Sequence, residues 1–309
     1  MEDIIDEELL GKLQQCKDLP TPPTVATKII ELSASESSDL DTLASIVSMD
    51  PALSAKILSI ANSSLYMRRV EADSIEQAVG MFGWTGTLNI ALGFAVIGSI
   101  RGALTSGLDY DYFWLRSLAA ATSARSLGQA VNNKNDEFLF LPGLLQDIGM
   151  LAIDKTIPGL YANINEHQHD HAYLQQLELK HLKTDHAMVG KWLLESWGLP
   201  SEVTELVGMS HTTNYQNSNI TFLAEQKCIY LSGYLADCLL VDEKHKLVSN
   251  VALLFQQEIN MDTSDFIPLL AHVAAQFKEM AMLFELDINQ DDLQSVSDLS
   301  SLVLLSESS

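Results

Sequence analysis

Apolar residues in this chain recur at helical spacing almost from end to end, and no stretch shows the strict alternation that a half-buried strand requires. That periodicity confines the chain to an all-α fold. Helix punctuation is correspondingly dense. Asp50-Pro51 is a strong start, because Asp accepts amide hydrogens as an N-cap and Pro gives up an N–H that has no helical partner there. Leu53, Ile57, Ile60 and Ala61 then line one face until Asn62-Ser63-Ser64 stops the helix. Ser74-Ile-Glu-Gln77 reads as a capping box, Gly83 as the stop of that short helix, and Thr85 as the cap of a mostly apolar helix running to about Ile100. Another helix begins near Asp109 and turns Phe113, Trp114, Leu118 and Ala121 inward. A further one, from about Thr184 to Trp197, ends at Gly198-Leu-Pro200. Helices are also expected between Ile220 and Leu240, between Lys246 and Glu258, and in the amphipathic stretches around Pro268.

These elements divide into an N-terminal helical half (1–107), a helical core (108–258) and a C-terminal helical extension (259–309), with Gly107 as the link between the first two. The end, Leu305-Ser-Glu-Ser-Ser309, is Ser-rich and acidic and is expected to fray. No internal repeat is evident. A hydrophobic content of 47% with 19% charged residues excludes wholesale disorder.

Charge narrows the partners. Lys and Arg number 18 against 41 Asp and Glu, a formal net charge of -23, and no basic stripe interrupts it. Nucleic acid and anionic lipid are held by clustered cations that release counterions, so neither is an expected partner. The most apolar run, Ile90 to Ile100, is too short to span a bilayer and reads as a core helix. Cys16, Cys228 and Cys238 show no CxxC spacing, which fits buried thiols in a reducing cytoplasm. The acidic segment Met1-Glu-Asp-Ile-Ile-Asp-Glu-Glu8 does not suit a signal peptide.

Several segments, in order, resemble the HDOD domain, a non-catalytic offshoot of the HD superfamily of metal-dependent phosphohydrolases. They are Leu19-Pro-Thr-Pro-Pro23, Ser48-Met-Asp-Pro-Ala-Leu53, Ile60-Ala-Asn-Ser-Ser64, Ile75-Glu-Gln-Ala-Val79 and Phe113-Trp114. Pro142-Gly-Leu-Leu-Gln-Asp-Ile-Gly149, Asp185-His-Ala-Met-Val-Gly190 and Trp197-Gly-Leu-Pro200 complete the set, which spans about 13–212. The resemblance implies an HD-like helical bundle with an added C-terminal helical segment, and a bacterial origin. It also implies a degenerate pocket made of Arg116, Gln146, Asp147, His186, His211 and Asp237.

Position by position, Arg116 falls where the first metal-binding His would be, and Gln146-Asp147 replaces the His-Asp pair. His186 matches a ligand of the two-metal members, Ser210-His211 keeps half of a His-His pair, and Asp237 matches the last ligand. A guanidinium cannot ligate a cation, and an amide oxygen is a weak substitute for imidazole. Arg116 is therefore expected to replace the ion electrostatically, pairing with Asp147 and Asp237. No metal and no catalysis are expected; the alternative set is Asp147, His186, His211 and Asp237, whose oxygen content would favour Mg or Mn. Taken without the resemblance, Asp147 reads as a helix cap, His186 as a residue of a capped first turn, His211 as a surface or packing residue and Arg116 as a solvated charge.

Glu166-His-Gln-His-Asp-His171 places His167 and His171 one helical turn apart, a spacing able to grip a transition metal. The better reading of that segment is a polar, solvated helix junction. No dinucleotide fingerprint, P-loop, nucleophile elbow or HExxH is present. The expected function is a cytoplasmic signalling or regulatory module that binds a signalling protein in trans, or a small nucleotide-like ligand, in the degenerate pocket, with homodimerisation as a further role. Alternatives are a metal-dependent phosphohydrolase with an altered site and a nucleotide sensor in which Arg116 holds an unhydrolysed phosphate.

Overall fold

A computed structural model describes residues 5–33, 35, 39–63, 66, 71–100, 107–162, 164, 169–213, 223–240 and 244–288. Among these residues there is no strand. The N-terminal helices are α1 (Glu7–Gln15), α2 (Thr24–Ser33), α3 (Leu40–Ser48), α4 (Pro51–Ala61) and α5 (Ile75–Ile100). The middle of the chain forms α6 (Tyr110–Ala130), a 3-10 turn (Asp136–Leu139), α7 (Phe140–Leu145), α8 (Ile148–Thr156), α9 (His171–Leu182), α10 (His186–Ser196) and α11 (Ser201–Gly208). The chain then continues through α12 (Leu223–Leu240), α13 (Lys244–Ile259) and α14 (Thr263–Leu283).

Part of the acidic excess has a structural use. Asp6, Asp39, Asp50, Asp109, Asp170 and Asp185 each cap a helix N-terminus, accepting first-turn amide hydrogens with the side chain. Each satisfies orphan donors and sets a negative charge at the positive end of the helix dipole. The break expected between Gly83 and Thr85 falls at Gly83 itself, which takes φ +69°. The second half of α5 resumes at once, ahead of Thr85, and the Thr87 hydroxyl donates to the Gly83 carbonyl at 2.8 Å. The helix expected from about Thr184 starts at His186, because Asp185 is its cap. In the described part of the helix expected from Ile220, the start is Leu223.

The window Ile75–Gly98 of α5 is long and apolar enough to cross a membrane, but 67% of it is buried inside the protein. It packs on α2, α3, α4 and α7. The family motifs act as ties in this half. Asn62 clamps its loop by exchanging hydrogen bonds with the backbone of Ala72 at 2.8 and 3.0 Å. The Trp197 indole donates to the Pro20 carbonyl at 3.2 Å, joining the two Pro-containing motifs.

Helix α6 is the axis of the core. Phe113, Trp114, Leu118 and Ala121 are buried, as is most of the rest of the helix, against α7, α12 and α14. Small residues such as Ala119, Ala120 and Ser123 let those neighbours come close on every side. One hydrophobic cluster runs from Leu9 and Leu13 through Phe94 and Trp114 to Phe277 and Phe284.

Candidate functional site

Five segments bring polar side chains to one point inside this core. Asp147 lies between α7 and α8, where its backbone takes the N-cap position but its carboxylate makes no cap hydrogen bond. That carboxylate is 1% exposed by residue and is committed elsewhere. Its Oδ1 faces His171 Nε2 at 3.2 Å, His186 Nε2 at 3.4 Å and His211 Nε2 at 3.9 Å. His186 Nε2 is itself 3.1 Å from His171 Nε2 and 2.7 Å from His211 Nε2.

The approach of these elements depends on Gly149. A Cβ there would lie 2.0 Å from the His186 carbonyl oxygen and 2.5 Å from the Gly190 nitrogen, so α8 and α10 touch backbone to backbone. His171 and His186 each occupy the first position of a helix whose cap is the preceding Asp, Asp170 or Asp185. The capping fixes the first turn and so aims both imidazoles at Asp147. Behind His186, Glu178 is fully buried and accepts from the His186 backbone N–H and from Nδ1, each at 2.7 Å. The Tyr161 hydroxyl donates to the other Glu178 oxygen at 2.6 Å. In the neutral ring this arrangement puts the proton on Nδ1 and would turn the Nε2 lone pair toward the cluster, which makes His186 a better ligand.

The second oxygen of Asp147 pairs with Arg116 Nη1, and Arg116 Nε donates to Asp237 Oδ1 at 2.9 Å. Arg116 is 4% exposed, so it is a buried charge held between two carboxylates. Its Nη2 approaches the Gly233 carbonyl at 3.4 Å. Gln146 is buried beside it, with Nε2 donating to the Gly143 carbonyl at 3.1 Å and Oε1 without a partner. The Ser210 hydroxyl is likewise buried and unpartnered.

Electrostatics follow from these contacts. Burial would raise the Asp147 carboxyl, but Arg116 and His171 hold it well below the usual range. Burial would lower His186, yet Glu178 and Asp147 outweigh it and push the imidazole up to about 10. His211 is driven well down by burial and by the neighbouring imidazoles. Three carboxylates, Asp147, Glu178 and Asp237, face one guanidinium, so the cluster keeps excess negative charge even with His186 protonated.

The donor set fits a metal ion. Asp147, His171, His186 and His211 offer one ligand atom each, all within 4.8 Å of one another. Ring nitrogens converging this closely repel unless a proton or a cation sits among them. With metal–ligand bonds of about 2.0–2.1 Å, tetrahedral ligands would lie about 3.3–3.4 Å apart, and the separations here start at 2.7 Å and all lie within 4.8 Å. A divalent ion would also offset the surplus negative charge.

This cluster differs from the alternative ligand set in one member. Asp237 is taken by Arg116, and His171 stands in the cluster instead. Three nitrogens and one oxygen suit Zn or Fe better than Mg. The segment read as a solvated junction therefore contributes a nearly buried side chain, His171, 10% exposed. His167, its expected helical partner, lies outside the described residues. The overlooked signal was the repeated Asp-His pair, Asp170-His171 and Asp185-His186. His211 is not a surface residue either, with a side chain 13% exposed.

Two clefts reach the cluster. One encloses about 400 Å³, part of it open to solvent, and is lined by Gln146, His171, His211, Tyr234 and Asp237 among others. The other, about 310 Å³, is lined by Leu108, Phe113, Met150 and Leu174, with Tyr112 stacked on His169 at 3.8 Å between ring centres.

A family model for the HDOD domain matches residues 19–213. The chain belongs to the HDOD family. Its fold is shared by an HDOD domain protein of unknown function from Geobacter sulfurreducens, 19% identical, with a TM-score of 0.67 over 92% of this chain and 99% of that one. A Shewanella amazonensis protein provisionally named a phosphohydrolase is 23% identical, with a TM-score of 0.68 over 90% and 98%. A second from the same organism, provisionally named a metal-dependent phosphohydrolase, is 25% identical, with a TM-score of 0.58 over 87% and 98%. No curated protein matches the chain.

Proposed function

We propose that this HDOD protein is a regulatory module that binds one transition-metal ion at Asp147, His171, His186 and His211, and engages a signalling protein or small ligand there without hydrolysing it. The observation that carries this reading is the clamp of Arg116 between Asp147 and Asp237. A phosphohydrolase with two ions needs those carboxylates as ligands, to polarise the phosphate and to generate hydroxide. Here a guanidinium holds Asp237 and one oxygen of Asp147, and a guanidinium cannot generate hydroxide from a bound water. A bound metal would supply a Lewis-acidic point held by Asp147, His171, His186 and His211.

The same clamp weighs against Arg116 as a phosphate anchor, since a phosphate would have to displace a carboxylate. A metal-dependent phosphohydrolase is the second reading, favoured by the Asp–His cluster itself and by the provisional name of the relative 25% identical to this chain. Metal analysis of the purified protein, with turnover of a phosphodiester and nucleotide panel in added Zn, Fe or Mn, separates the two. We expect about one ion per chain and no turnover. Hydrolysis abolished by Asp147→Ala would establish the enzyme, and absence of tight metal binding would remove the centre.

A further inference from the structure

The end of α14 packs beside a groove on a different part of the molecule. Walls come from Pro23 and Val25 at the start of α2, Leu53 and Lys56 of α4, and Phe94 and Ala95 of α5. The groove encloses about 850 Å³, part of it open to solvent, and is more than twice the size of either cleft at the Asp–His cluster. Apart from Lys56 and Asp50 its lining carries no charge.

The exit from α14 is fixed in direction. Glu285 adopts φ +57°, a left-handed conformation that a non-glycine residue rarely takes. Its N–H bonds the Met282 carbonyl at 3.1 Å and that of Leu286 bonds the Ala281 carbonyl at 2.9 Å, a Schellman turn. The turn seats Phe284 on Phe94, rings 3.9 Å apart and 13° from parallel, and puts the Glu285 carboxylate 3.7 Å from Lys56. Both partners, Phe94 and Lys56, belong to the groove.

Residues 289–309 follow, and their sequence has the missing half of an interface. Leu293, Val296, Leu299, Val303 and Leu304 share one face at helical spacing, and Asp291 and Asp298 share the opposite face. The segment has no Lys or Arg, which suits a groove whose cation is Lys56. Five residues of connection from Ile288 span at most about 16–18 Å, and they start next to Phe284 and Glu285, which touch Phe94 and Lys56 of the groove. We propose that residues 293–304 are an intramolecular ligand of this groove, held by their apolar face.

Hydrogen exchange on the full chain tests it. Amides of 293–304 should exchange at least about tenfold more slowly than unprotected amides, independently of protein concentration. Leu299→Asp and Ala95→Glu, one on each side of the contact, should each abolish that protection, while Gln294→Asp on the opposite helical face should keep it. Thermal melts of each variant report whether the core is intact. Unprotected amides in the unmodified chain would overturn the proposal. So would protection that survives Ala95→Glu in a folded protein, or that grows with concentration and so reports a second copy.

Discussion

A guanidinium clamped inside a helical core loses its hydration, and Arg116 is compensated for that only by Asp147, Asp237 and the Gly233 carbonyl. Removing it strands two carboxylates, one of them fully buried. With chelator present, Arg116→Ala is expected to destabilise the protein by about 3–5 kcal/mol in urea denaturation; a loss under 1 kcal/mol would mean that the clamp is not needed. Glu178 acts one step further out, by holding the His186 tautomer. Glu178→Gln should weaken metal affinity by about 10–100-fold in competition titrations with little change in secondary structure. The cysteines offer a plainer check on burial. Desolvation, aided by Glu225, pushes the Cys228 thiol up to about 12, and Cys238 is fully buried, whereas Cys16 is partly exposed. A thiol reagent at pH 8 should titrate one group in the native chain and three once it is unfolded.

At the scale of elements, helix starts do most of the positioning. Aspartate caps preset the first turns of α9 and α10, and the contact at Gly149 brings α10 onto α8. Gly149→Ala forces a methyl group into the His186 carbonyl and should cost about 1–3 kcal/mol while also weakening metal binding. Gly80, inside α5 with open space where its Cβ would go, provides the contrast. Gly80→Ala should stabilise by about 0.5–1 kcal/mol, and paired thermal melts compare the two. Reading these elements from sequence succeeded where local chemistry decides, as at Asp50-Pro51, Asp109 and Gly198. It placed the break at Gly83 correctly but added a cap at Thr85 that the structure does not use, because the left-handed residue joins two helices directly.

Over the whole molecule, charge and core pull in opposite directions. A formal net charge of -23 repels itself in the compact state, while one hydrophobic cluster ties the N-terminal helices to α14. Added sodium chloride should therefore raise the melting temperature of the metal-free protein; a decrease would show that local ion pairs such as Arg125–Glu137 outweigh the net repulsion. The sequence by itself determined the helical class and most helix starts, since periodicity and capping are local properties. The pairing of Arg116 with Asp147 and Asp237 is the one the resemblance implies, whereas only the tertiary structure decided that His171 joins the cluster. That choice depends on how α8 meets α10 and so brings Asp147 and His186 to His171, contacts that no local pattern encodes.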